Sequence, residues 1–117
     1  MHKLLIFARR RAGMSRADFR DYYENHHVPL ALKYAAGMQH YVRRYLEPTP
    51  GIPEPDYDVV TELGFADRAT VDAVLAVMVR DAMPADVVAD EASLFDRTSF
   101  RFYAVSECET NLGDAKP

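Results

Sequence analysis

Tyr22-Tyr23-Glu24-Asn25-His26-His27-Val28-Pro29-Leu30 closes a run with helical spacing and carries two adjacent imidazoles to within two residues of a proline. Phe19, Tyr22, Tyr23, His26 and Leu30 share one face of that helix, and His27 lies toward its flank. Pro29 has no amide hydrogen, and its ring clashes with the carbonyl four residues back, so it is expected to end or kink the helix. A bend exposes nearby side chains, and histidine is the side chain whose ordinary titration lies closest to neutrality. The two imidazoles project about 100° apart on a helix, so a single pocket takes one of them.

Upstream, Ser15-Arg16-Ala17-Asp18 reads as the start of this helix. The serine hydroxyl can accept an orphan amide hydrogen, and the acid in the first turn complements the helix dipole. The preceding run, His2 to Arg9, is a strand with two apolar faces, Leu4, Ile6 and Ala8 on one and Leu5 and Phe7 on the other. Downstream of Pro29 a second short helix runs to Tyr34, with Gly37 as terminator. Met38 to Leu46 follows as a strand whose alternation is imperfect. Glu47 to Pro55, with prolines at 48, 50, 53 and 55, is a stiff loop. Tyr57 to Phe65 is the next strand. Asp67 caps a helix in which Val71, Val74, Leu75 and Met78 share a face, and a helical turn runs from Pro84 to about Ser93 or Phe95. Ser99 to Glu107 is the last strand.

The order strand, helix, strand, strand, helix, strand predicts an α+β, ferredoxin-like βαββαβ domain over residues 1–109, with residues 110–117 as a flexible tail. Its four-stranded antiparallel sheet carries helices on one face only. A buried Leu or Phe side chain is worth roughly 1.5–3 kcal/mol, so the apolar second face of the first strand calls for a cover. The same face of another copy supplies one by two-fold symmetry, which predicts a homodimer packed through its sheet faces.

Composition narrows the function classes. The 117 residues are 49% hydrophobic and 27% charged, which is the make-up of one globular domain rather than a disordered chain. A formal net charge of −4 argues against binding nucleic acid or anionic membrane, and Arg9-Arg10-Arg11 reads as a solvated loop. One cysteine, Cys108, excludes an internal disulfide and a multi-cysteine zinc site, and fits a reducing compartment. The opening apolar run is too short for a signal peptide or membrane span, so a cytoplasmic protein is expected. There is no glycine-rich phosphate loop, and adjacent histidines are not a helical metal pair, so neither cofactor nor metal is expected.

The nine-residue stretch from Tyr22 to Leu30, followed by Tyr41-Val42-Arg43, resembles the EthD family of the dimeric α/β-barrel superfamily. The likeness extends to the Lys3-Leu4-Leu5-Ile6-Phe7 strand, the Met14-Ser15-x-x-Asp18-Phe19 helix entry and the closing Phe100 to Glu107 strand. The chain departs from the family at Tyr34-Ala35-Ala36-Gly37, where relatives often carry leucine-proline-glycine. The resemblance implies a dimer of ferredoxin-like subunits, each with a pocket between sheet and helices. Relatives include proteins linked to ethyl tert-butyl ether breakdown by a cytochrome P450 system, and fungal dehydratases and decarboxylases of aromatic polyketides. The wider superfamily includes isomerases and cofactor-free monooxygenases. The family's histidine-x-proline pattern falls on His27-Val28-Pro29 and makes His27 the candidate catalytic residue.

Phe, Tyr and Leu around such a histidine suit a small apolar or aromatic molecule. Neutral imidazole can take a proton from a carbon beside a carbonyl, and imidazolium can protonate a departing hydroxyl. This is cofactor-free lyase chemistry; a monooxygenase-like reaction and a non-catalytic accessory role in oxidative degradation are the alternatives. Tyr22, Tyr23, His26 and Tyr41 are candidate substrate-binding residues. Each also has a plainer reading: core aromatics for the tyrosines, and a histidine bonding free carbonyls at a helix end for His27. Tyr41 and His40 point to opposite faces of their strand, so at most one meets the pocket. A pocket-facing Asp58 or Glu62 could orient a histidine.

Overall fold

A computed structural model describes residues 1–113. Its elements are β1 (His2–Arg10), α1 (Arg16–Tyr22), a π-helical turn (Tyr23–His27), α2 (Val28–Ala31), a 3₁₀ turn (Leu32–Tyr34), β2 (Met38–Tyr45), β3 (Val59–Phe65), α3 (Arg68–Val79), α4 (Ala85–Ala92) and β4 (Phe95–Val105). The strands form one antiparallel sheet in the order β2-β3-β1-β4. That is the ferredoxin-like arrangement, with helices packed on one face. Of the expected C-terminal tail, residues 114–117 lie outside the described residues. No helix among the described residues is long and apolar enough to cross a membrane.

Both expected caps are present. Ser15 Oγ accepts the Asp18 amide at 3.1 Å, and Asp67 Oδ1 accepts that of Thr70 at 2.7 Å. On the inner face Leu4, Leu63, Phe65 and Val71 bury one core against α3, and Ala8, Phe19, Tyr23, Val59, Leu94 and Phe95 bury another under α1.

The strand expectations need correction at their ends. β3 begins at Val59 rather than Tyr57, because Asp58 turns its carboxylate to the Arg10 amide and guanidinium, at 2.8 and 2.6 Å. β4 begins at Phe95 rather than Ser99, four residues early. Its pairing with β1 shifts register between Phe7 and Arg9, where Ser99 Oγ accepts the Arg9 amide at 2.8 Å in place of a ladder carbonyl. A second shift, between Met38 and His40, interrupts β2. Each bulge inverts the alternation of its strand, which explains the imperfect pattern. Tyr41 and Phe100 both follow such a shift and both face the helices.

Of the two outcomes expected at Pro29, an end or a kink, the helical path does not end there, and it runs on to Tyr34 as expected. It continues from α1 through the π turn into α2, with the Val28 amide reaching the Tyr23 carbonyl five residues back. The wider turn absorbs the donor and the space that proline removes. It also changes which residues face inward: Phe19, Tyr23 and His27 are buried, while Tyr22 is half-buried and His26 exposed. His26 therefore leaves the face it was expected to share, and His27 moves from the flank to the core side.

Candidate functional site

Several contacts hold the π turn in place. Glu24 takes a two-pronged hydrogen bond from Arg43 of β2, at 3.0 Å from Nε and 2.5 Å from the second guanidinium nitrogen, and accepts another from Tyr45. Arg43 chiefly, through this fork, keeps the Glu24 carboxyl below its usual range. The same guanidinium lies 4.6 Å from the centre of the Tyr41 ring. The Tyr-Glu-x-x-His and Tyr-Val-Arg stretches are thus two halves of one clamp.

Inward from the clamp, a cavity of about 280 Å³ opens between the two cores, and a second lobe of about 260 Å³ continues beside it. The lobes share Ile6, Tyr23, His27, Met78, Met83 and Glu91. The larger is walled by apolar side chains such as Leu63, Val74 and Val87, with Tyr34 and Tyr41 in its lining. The smaller ends on Phe100, Phe102, Arg97 and Asp81. Tyr23 lines both lobes, and its hydroxyl sits 2.7 Å from Thr61 Oγ1. Burial raises both the Tyr23 and Tyr41 phenols above their usual range, so each is a neutral O–H group.

His27 is 6% exposed, with its ring edge-on to Tyr23 and Phe95. Its Nδ1 lies 2.8 Å from Asp90 Oδ2 in α4, and the other oxygen of that carboxylate accepts the Tyr22 hydroxyl at 2.5 Å. A carboxylate against Nδ1 selects the tautomer with the proton there, leaving Nε2 with a free lone pair. The Tyr22–Asp90–His27 chain therefore fixes the ring and its proton together.

The expected site residues divide. His27, Tyr23 and Tyr41 line the cavity. Tyr22 acts on Asp90 from behind, and His26 stacks on Tyr22 with centroids 4.8 Å apart, away from the lining. His40 and Glu62 pair on the opposite face of the sheet, and Asp58 pairs with Arg10, so none of them orients His27. Sequence reasoning missed Asp90 and Glu91. They lie 63 and 64 residues beyond His27 in a short helix, Ala-Asp-Val-Val-Ala-Asp-Glu-Ala, where acids read as a solvated face. The one available signal is that Val87 and Glu91, four apart, fall on the same side of α4. Glu91 is pushed up to about 7 by burial, against the opposing pull of Arg97 and with help from the negative charges of Asp81 and Asp90.

A ferredoxin-like sheet with a histidine–carboxylate pair on a mainly apolar cavity defines the class to which the molecule conforms. The chain belongs to the EthD family, whose EthD domain matches residues 11–98. Among solved structures it is similar to an ethyl tert-butyl ether d (EthD) family protein from Bacillus halodurans, at 17% identity and a TM-score of 0.62. That likeness covers 92% of this chain and 100% of the other. A protein from Arabidopsis thaliana is similar at 11% identity and a TM-score of 0.60, over 96% of this chain and 100% of that one. At these identities the likeness is one of fold. No curated protein matches the chain.

Proposed function

We propose that this protein is a cofactor-independent lyase that eliminates water or carbon dioxide from a small aromatic or otherwise apolar compound, with His27 as acid–base. The observation that carries the reading is the orientation of His27, whose Nδ1 is engaged by Asp90 at 2.8 Å while its ring walls the cavity. In a dehydration, Nε2 takes the proton from a carbon beside a carbonyl. The C–H electron pair becomes the new double bond, and the hydroxyl on the next carbon leaves with its bonding pair, taking a proton from an acid of the site to depart as water. General acid–base assistance of this kind is worth roughly 10²–10⁴-fold in rate.

A suitable probe is the aldol adduct of benzaldehyde and acetone, whose dehydration product, benzylideneacetone, is a conjugated enone followed by its ultraviolet absorbance. Wild-type protein is expected to turn over the adduct, and His27→Ala to lose roughly 10²-fold or more of the rate while still binding the enone. Unchanged turnover in the variant overturns the role of His27. The family name on the Bacillus halodurans structure favours a second reading, an accessory binding protein in ether degradation. Enone binding without any conversion selects that reading.

The outer sheet face supports a homodimer. Leu5, Phe7, Val42 and Val60 are only half-buried there, and Tyr103 is 55% exposed, so a second copy seated on the face removes an apolar surface from water. Sedimentation at micromolar concentration is expected to give twice the chain mass; a clean monomer refutes the dimer.

A further inference from the structure

Glu91 is a carboxyl that the His27–Asp90 pair does not need. It follows Asp90 directly in α4, so one helix delivers both the carboxylate that holds His27 and a second carboxyl to the cavity. It belongs to both lobes, at the junction where His27 and Tyr23 also stand. Its side chain is 14% exposed, and its ion-pair partner among the described residues is Arg97 of β4, whose Nε lies 3.4 Å from Oε1. That guanidinium is already bound to Asp81 at the end of the smaller lobe, and its Nε makes no regular hydrogen bond. Glu91 is therefore partly neutralised and largely cut off from water, in the lining of a cavity it shares with an imidazole that is itself held by a carboxylate. The groups facing it are Arg97 from β4, Asp81 from the turn after α3, His27 and Tyr23 from the π turn, and Asp90 from its own helix.

We propose that Glu91 is a catalytic residue of the same cavity, the carboxylic acid that hydrogen-bonds the oxygens of the bound compound, the carbonyl that the product keeps and the departing hydroxyl to which it gives its proton. The proposal rests on the lyase reading above and adds its acid. The balance is complete without a co-reactant. His27 Nε2 gains the proton from carbon, the C–O bond breaks with its electron pair on oxygen, and the Glu91 O–H proton completes the water that leaves. The site is left as imidazolium and carboxylate, and proton return from His27 to Glu91 restores both. The chemical class this selects is a molecule with an apolar or aromatic body for the larger lobe and an oxygen function at the junction. Burial holds the Glu91 carboxyl protonated up to about neutral pH, as the role requires.

The test uses the full chain with two probes, the aldol adduct for turnover and benzylideneacetone for binding, in wild type, Glu91→Gln and His27→Ala. The amide keeps the shape of the acid and a hydrogen-bond donor but has no proton to give. Glu91→Gln is expected to lower kcat by roughly 10²-fold with KM little changed. Enone affinity is expected to weaken several-fold in wild type as pH rises through about 7, to stay flat in Glu91→Gln, and to keep its pH dependence in His27→Ala. Turnover lost in His27→Ala but intact in Glu91→Gln overturns this inference and leaves the His27 reading standing. Enone binding with a Glu91-dependent pH response, but no turnover, keeps Glu91 as the oxygen-binding acid and removes the lyase reading. Affinity that is absent, or equally pH-dependent in wild type and Glu91→Gln, overturns the assignment of Glu91 altogether.

Discussion

Two glutamates on opposite sides of the sheet show how one residue type acquires opposite character. Glu91 faces the cavity and Glu62 the outer surface, and both side chains are largely shielded, at 14% and 10% exposure. Burial pushes each carboxyl up. For Glu91 that push prevails, because Arg97 is shared with Asp81 and two acids lie nearby. For Glu62 it is outweighed by the His40 hydrogen bond and by the charges of Arg44 and Lys3, at 3.4 and 3.6 Å, which hold the carboxyl below its usual range. The His40 contact depends on a missing side chain, since a Cβ on Gly64 would stand 2.7 Å from that of His40. Burial alone does not make an acid of a glutamate; the supply of uncommitted cations decides.

The contrast predicts pH dependences of opposite sign. The folded state keeps a proton on Glu91 that the unfolded chain releases above 4.5. Its contribution is therefore complete below about pH 4.5 and lost as pH rises through about 7. Glu91→Gln is expected to raise stability above pH 7 by up to about 3 kcal/mol, measured by urea unfolding across pH. A variant no more stable than wild type at pH 8 breaks the comparison on its inner side.

Next in size is Tyr23→Phe, which leaves the buried Thr61 hydroxyl without its partner and should cost about 1–2 kcal/mol. Thermal unfolding reads this as a drop of several degrees. On the outer side, Glu62→Gln is expected to cost about 1 kcal/mol near neutral pH through the lost ionic hydrogen bond to His40. Because its folded carboxyl is depressed, the wild-type advantage is present above about 4.5 and disappears as pH falls through the folded value. Equal stability of variant and wild type at pH 7 argues against the outer-face network. The smallest effect belongs to His26→Ala, expected within about 0.5 kcal/mol of wild type and without effect on enone binding.

Most of the fold was legible because its signals are local. Ser15 and Asp67 cap where capping residues should, the six-element order follows from short apolar runs, and Gly37 turns the chain at φ 82°. The losses share one cause, a break in periodicity. The bulge in β2 and the π turn each add a residue to a repeat, the irregularity in β4 shifts its register by three, and no residue type announces them. For the site, this exchanged the expected positions of His26 and His27. Asp90 was illegible for another reason: a carboxylate 63 residues away becomes a partner only when α4 crosses the π turn. Glu91 was hidden by its setting, since an acid in a polar short helix differs from a solvated one only through the cavity it meets.

Nitrogen-15 NMR of histidine-labelled protein, with and without benzylideneacetone, tests the central claim that Asp90 holds His27 with a bare Nε2 facing the cavity. In the neutral ring the proton is expected on Nδ1, with the Nε2 resonance moving on addition of the enone and Nδ1 staying in place. A neutral His27 protonated at Nε2, or an Nε2 resonance unmoved by an enone that does bind, contradicts it.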